Sequence, residues 1–192
     1  MKLRSVLRAV QLWFLLAFTP ASLIISAQSS GVVTNWQQLL SLSEQAARAG
    51  AEVRLTGTVL YFDPEWNLLF VYVDGTGVYF APPKKSDRAN YGDLVELTGQ
   101  TAWSGSGSTV SLNEMRIIGK GKLPQAWKVP LQTMLKGGAA SQWVEVQGLV
   151  RTMEDVGRLR FYIMLGTNRV PMFVLNHSRR GLDSLFGAKI LV

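Results

Sequence analysis

The sequence predicts a mainly β chain: two tandem five-stranded barrels, each preceded by a short helix, the second one truncated. Two observations predict it. The first is a repeat. Val53-Arg54-Leu55-Thr56-Gly57-Thr58-Val59 returns as Val144-Glu145-Val146-Gln147-Gly148-Leu149-Val150. Gly92-Asp93-Leu94-Val95-Glu96-Leu97 returns as Gly187-Ala188-Lys189-Ile190-Leu191-Val192. Gly57 and Gly92 are 35 residues apart, and Gly148 and Gly187 are 39 apart. Self-similarity of this kind fixes the architecture before any single residue is weighed. The second observation is the alternation of apolar and polar residues within each copy, the period of a half-buried strand. The first copy runs on through Thr98-Gly99 into a further strand, whereas the second reaches Val192 and stops. The expectation is therefore the front end of a longer protein.

The elements follow in order. Trp36, Leu39, Leu40, Leu42, Ala46 and Ala47 fall at mostly helical spacing and end near Gly50, which predicts one amphipathic helix. The first strand spans about Glu52 to Phe62, and Asp63-Pro64-Glu65-Trp66-Asn67 is a turn. Leu68 to Val73 and Val78 to Ala81 are strands two and three, joined through Asp74-Gly75-Thr76-Gly77. Pro82-Pro83 ends the third, since proline has no N–H for a ladder. After the polar loop 84–90, strands four and five run Asp93 to Ala102 and Thr109 to Ile118, with Ser104 to Ser108 as hairpin tip. In the second copy a short helix, Leu131 to Lys136, precedes strands beginning at Trp143, Arg158, Arg169 and near Ala188. Pro171 implies an edge or a bulge in the third of these.

A long first strand with a mid-strand glycine can bend and change sheets. That is the logic of the OB-fold, a five-stranded, partly open barrel. The alternative is a fragment of a β-sandwich; five strands per copy and the bend glycine favour the barrel. The expected division is a signal peptide or membrane anchor at 1–27, helix plus first barrel at 32–119, a linker at 120–128, and helix plus second, incomplete barrel at 129–192.

Composition narrows the function classes. Apolar residues at 47% supply a packed core, which excludes a disordered chain. Cysteine is absent, which removes disulfides, thiolate metal sites and thiol nucleophiles. Lys2, Arg4 and Arg8 precede an apolar run from Ala9 to Ile25, and Ala27 offers a cleavage position, the pattern of an export signal. An uncleaved anchor is the competing reading, though Pro20 interrupts the run. Either places the remainder outside the cytoplasm, periplasmic or extracellular. Beyond the leader, 17 basic residues face 13 acidic ones, a net +4 that lets a groove attract polyanions without demanding nucleic acid.

Four stretches carry a resemblance: Val53 to Trp66, Phe70-Val71-Tyr72-Val73-Asp74-Gly75-Thr76-Gly77-Val78-Tyr79, Gly92 to Gly99, and Ser141-Gln142-Trp143-Val144-Glu145-Val146-Gln147-Gly148. Together they resemble the extracytoplasmic OB-fold-like N-terminal region of bacterial membrane-bound sensor histidine kinases, over roughly Trp36 to Val192. The resemblance implies a sensory input region. In that family a second transmembrane segment and a cytoplasmic kinase follow; this sequence has no phosphoacceptor histidine in a helical context and no glycine-rich nucleotide box, so kinase activity is not carried over.

The residues themselves offer no catalytic set and imply no cofactor. The single histidine, His177, adjoins Ser178 and lies near Asp183, but triads are assembled from separate elements and a polar loop is the better reading. One histidine without cysteine makes no zinc site. Asp63 with Glu65, and Glu154 with Asp155, read as turn chemistry rather than acid–base pairs. Aromatics are the informative set. If Val71 and Val73 face the core, Phe70 and Tyr72 face outward. OB-folds bind ligands on that outer face. Tyr61, Trp66, Tyr72 and Tyr79 are thus candidate binding residues, with Tyr72 and Tyr79 as a stacking platform flanked by Lys84, Lys85 and Arg88. The competing reading packs these rings against the leading helix, the second copy or a partner. Trp36, Trp127 and Trp143 are expected to bury as interdomain packing. The expected role is a non-catalytic sensory module for a small ligand or protein partner, with membrane association through the N-terminal segment. The competing role is a secreted module for single-stranded nucleic acid or oligosaccharide.

Overall fold

A computed structural model describes residues 31–155, 158–174 and 182–191. The expected leader and His177 lie outside them. The described chain is mainly β. Strands β1 (Glu52–Asp63), β2 (Leu68–Val73), β3 (Thr76–Phe80), β4 (Lys85–Ser86), β5 (Asp93–Trp103) and β6 (Ser108–Lys120) form one sheet in the order β3-β2-β1-β5-β6-β4. After the parallel pair β7 (Trp127–Lys128) and β8 (Val144–Glu145), strands β9 (Gln147–Asp155), β10 (Leu159–Leu165), β11 (Asn168–Val174) and β12 (Lys189–Leu191) form a second sheet, β11-β10-β9-β12. Among the described residues the two halves share no strand.

Neither sheet closes into a barrel, which corrects the closed form of the expectation. The reason is local. Strand β4, parallel to β6, lies only a few residues beyond β3, but Pro82-Pro83 falls between them and offers no N–H to carry the ladder across. The two-residue strands β4, β7 and β8 are too short to leave a period in the sequence.

The repeat survives at the level of backbone geometry. In each half the first strand lies between the second and the fourth, so β3-β2-β1-β5 and β11-β10-β9-β12 have the same order. Gly57 packs where a Cβ would meet Val71, Val73 and the Tyr72 carbonyl; Gly148 packs where one would meet Leu165, Ile163 and the Met164 carbonyl. Three residues after each glycine the ladder to the next strand skips one residue, Leu60 in β1 and Arg151 in β9. Such a bulge increases twist and bends the strand. A glycine then a bulge is thus how each first strand curls over its own core.

That core follows the alternation. Val53, Leu55 and Val59 of β1 are buried with Leu69, Val71 and Val73 of β2 and Val95 and Leu97 of β5, while Glu52, Arg54 and Thr56 point to solvent. Burial of each such side chain contributes roughly 1.5–3 kcal/mol. The leading segment is two short helices rather than one, α1 (Trp36–Leu40) and α2 (Glu44–Arg48). The Ser41 hydroxyl donates to the Gln38 carbonyl (2.7 Å) at the end of α1, and Ser43 accepts from the Ala46 N–H (3.2 Å) as the cap of α2. Serines that compete for the backbone favour caps over helix interiors. Leu39 and Ala47 still reach the core, and Trp36 meets Phe80 edge-on at 5.9 Å. The second core is smaller: Val150, Ile163 and Leu165, with Leu131 and Met134 of α3 (Leu131–Leu135) packed against them.

Candidate functional site

The outer face of the first sheet carries a row of rings. In register, Tyr61 of β1 opposes Phe70 of β2, and Phe70 opposes Tyr79 of β3. Tyr61 and Phe70 are 6.2 Å apart edge to face, and Phe70 and Tyr79 are 5.5 Å apart and tilted. Cross-strand aromatic pairs of this kind stabilise a sheet and present ring faces outward. The Tyr79 hydroxyl donates to the Asn67 carbonyl (3.2 Å), which pins the ring over the β1–β2 turn. Tyr72 lies one row away, opposite Gly77 and Thr58. Tyr61, Phe70 and Tyr79 therefore form one row with Phe70 at its centre, and Tyr72 stands in the next row rather than beside Tyr79.

At one end of this row the β1–β2 turn meets the second half of the chain. Asp63 accepts the Glu65 and Trp66 N–H groups (3.1 and 3.2 Å), the turn chemistry expected of it. Its carboxylate is buried, and Arg158 of the second half answers it. Arg158 Nη2 donates to Asp63 Oδ1 (2.8 Å) and to Glu65 Oε2 (2.9 Å). Asp63 Oδ2 has no hydrogen bond of its own and meets Arg158 Nη1 as an ion pair. The guanidinium also lies over the Trp66 ring, 4.5 Å from its centroid, and Phe173 of β11 meets Trp66 edge-on at 4.7 Å. Trp66 is thus held between two residues of the other half. Burial, and then the neighbouring Asp63 carboxylate, raise the Tyr61 hydroxyl above its ordinary value.

At the other end Gln142 docks on β3. Its side-chain oxygen accepts the Gly77 N–H (3.3 Å), and its side-chain nitrogen donates to the Gly77 carbonyl (3.2 Å) and the Thr76 hydroxyl (3.3 Å). Gly77 is required here, because a Cβ would overlap the Ser141 carbonyl. Between the two contacts lies a groove of about 380 Å³. Leu60, Tyr61, Leu68 and Phe70 line it from the first sheet, Trp66 and Phe173 from the clamp, and Ser141, Gln142 and Trp143 from the second half.

Of the residues named from sequence, Tyr61, Trp66 and Trp143 line the groove. Tyr72, Tyr79, Lys84, Lys85 and Arg88 do not line it. Lys85 pairs with Glu114 (2.7 Å). Arg88 lines a separate polar recess with Asp63, Glu65 and Arg158. Trp36 belongs to the first core and Trp127 is exposed, so neither packs between the halves as expected. Sequence reasoning missed Phe173, Gln142 and Arg158. Only Phe70 left a signal, its outward place in the alternation. Among the described residues no cluster of histidine, aspartate or glutamate could hold a metal ion. No protein-family model matches the chain, and no curated protein matches it.

Proposed function

We propose that this chain is an exported, non-catalytic ligand-binding region that serves as the input of a membrane-bound sensor histidine kinase, with its ligand seated in the groove between the two halves. The sequence resemblance and the apolar leader support the cellular role. The strand order supports reading each half as an open OB-type unit whose third strand, in the first half, is split by Pro82-Pro83 before rejoining beside β6. One observation carries the binding role: a concave, ring-lined groove takes residues from both halves. Small-molecule sites are concave and mostly apolar, with a few polar groups. An occupant there touches the outer face of β1 and β2 and the 141–143 segment together, so binding biases how the halves pack. Differential scanning fluorimetry against a library of small organic compounds tests this. A ligand that raises the melting temperature of the native chain but not of Phe70→Ala supports it; no stabilising compound in any chemical class refutes it. A kinase whose output is unchanged when the 120–128 linker is made long and flexible refutes the relay.

The exposed ring row gives a second reading, a secreted module for single-stranded nucleic acid, because bases stack on such rows. Labelled oligonucleotide mobility at low and high salt decides it. A salt-sensitive shift lost in Phe70→Ala and Tyr79→Ala supports it, and no shift at low salt removes it.

A further inference from the structure

We infer that the groove takes a small, uncharged, ring-bearing molecule rather than a phosphate, sulfate or carboxylate. The inference rests on the ligand-binding reading above and names the chemistry of its ligand. Size comes first. A volume of about 380 Å³ lies at the small end of ligand pockets, which matches a molecule of one or two rings.

Charge comes next. No lysine or arginine lines the groove. Arg158 packs against the groove residue Trp66 and Arg160 stands opposite the groove residue Phe173, and both are already spoken for. Arg158 bonds to Asp63 and Glu65 and lies over the indole, and Arg160 pairs with Glu154. Asp63 and Glu65 answer Arg158 and Arg88 in the recess beyond, so that corner offers an anion in the groove no spare positive charge. A cation finds no carboxylate in the lining to pair with, and the Trp66 ring that could answer one is already covered by Arg158. What remains is apolar contact with Leu60, Leu68, Phe70, Trp66, Trp143 and Phe173. Rings meet these side chains edge to face or offset, the geometry the walls already use among themselves. At the Ser141–Gln142 end the Gln142 amide is committed to Gly77 and Thr76, which leaves Ser141 as the polar side chain of the lining for a single hydrogen bond.

A matched pair of probes tests this. N-phenyl-1-naphthylamine is uncharged; 1-anilinonaphthalene-8-sulfonate has the same rings and one sulfonate. Fluorescence titration of the purified chain with each gives two dissociation constants. The neutral probe should bind at least about tenfold more tightly, as expected when one member must bury an unpaired charge. Phe70→Ala, which removes the floor, and Leu68→Trp, which fills the groove, should each weaken the neutral probe by about tenfold or more. Both positions face outward, and unchanged far-ultraviolet circular dichroism identifies the variants that fold. If the sulfonate binds as tightly as the neutral probe and both substitutions abolish it, the proposed ligand chemistry is wrong while the groove stands. If neither probe binds, or binding ignores both substitutions, the groove reading itself fails.

Discussion

Replacing Arg158 by methionine should separate the two halves energetically, and the structure sets the size of the effect. Asp63 is 2% exposed and Arg158 12%, so solvent cannot replace the lost partner. Removing one member of a buried ion pair costs about 3–5 kcal/mol. The Glu65 and Trp66 N–H groups still satisfy Oδ1, which pulls the expectation toward the low end. Loss of the guanidinium over Trp66 adds about 0.5–2 kcal/mol, partly offset by the methionine stem. About 3 kcal/mol is the expected total. Asp63→Asn keeps the turn bonds and should cost about 1–2 kcal/mol. The double variant buries no unpaired charge, so its cost should fall about 2 kcal/mol short of the sum of the singles. Urea unfolding, followed by tryptophan fluorescence and circular dichroism, measures all four proteins; coincident transitions validate the free energies. Additivity within about 0.5 kcal/mol would refute the clamp.

Three further outcomes are expected. Gly77→Ala forces a methyl group against the Ser141 carbonyl and should weaken the inter-unit contact by about 1–3 kcal/mol, seen as faster proteolysis within 121–126; unchanged protection would show that the contact does not hold the halves together. Gly57→Ala places a Cβ 2.5 Å from a Val71 methyl and 2.7 Å from the Tyr72 carbonyl, whereas Gly148→Ala meets its nearest neighbours at 2.9 Å, so thermal melts should show the larger loss at Gly57. The Asn90 N–H, and then Lys120, hold the Asp93 carboxyl below its ordinary value of 3.8. A depressed folded value means that its contribution is complete above 3.8 and fades as pH falls through the lower folded value. Urea midpoints between about pH 2 and 5 should therefore fall less steeply for Asp93→Asn than for the native chain, and identical slopes would contradict it.

The long strands were legible because each buries one face, so Val53, Leu55, Leu69 and Val71 stamp a period of two on the sequence. The repeat was legible for the same reason, and Gly57 and Gly148 proved equivalent down to the residue skipped three positions later. The split of the leading helix was written locally, in Ser41 and Ser43, but apolar spacing on either side of them outweighed it. Barrel closure was misjudged although Pro82-Pro83 was in view, because the two-residue pairing beyond it has no pattern of its own. The site was harder. Arg158 and Phe173 reach Trp66 from more than 90 residues away, and nothing in a local pattern announces such a contact. The ring platform was half seen, since alternation placed Phe70 outward but could not say which outward rings share a row.

Gln142 has a consequence of another kind. Strand β3 ends its sheet, and such a border normally displays unsatisfied amides and carbonyls to any passing chain. The glutamine amide occupies those of Gly77 and so acts as a stopper. Whatever pries the halves apart also uncorks that border. Loosened molecules should then stick to one another, and turbidity that rises with protein concentration would be the visible trace of a lost seam.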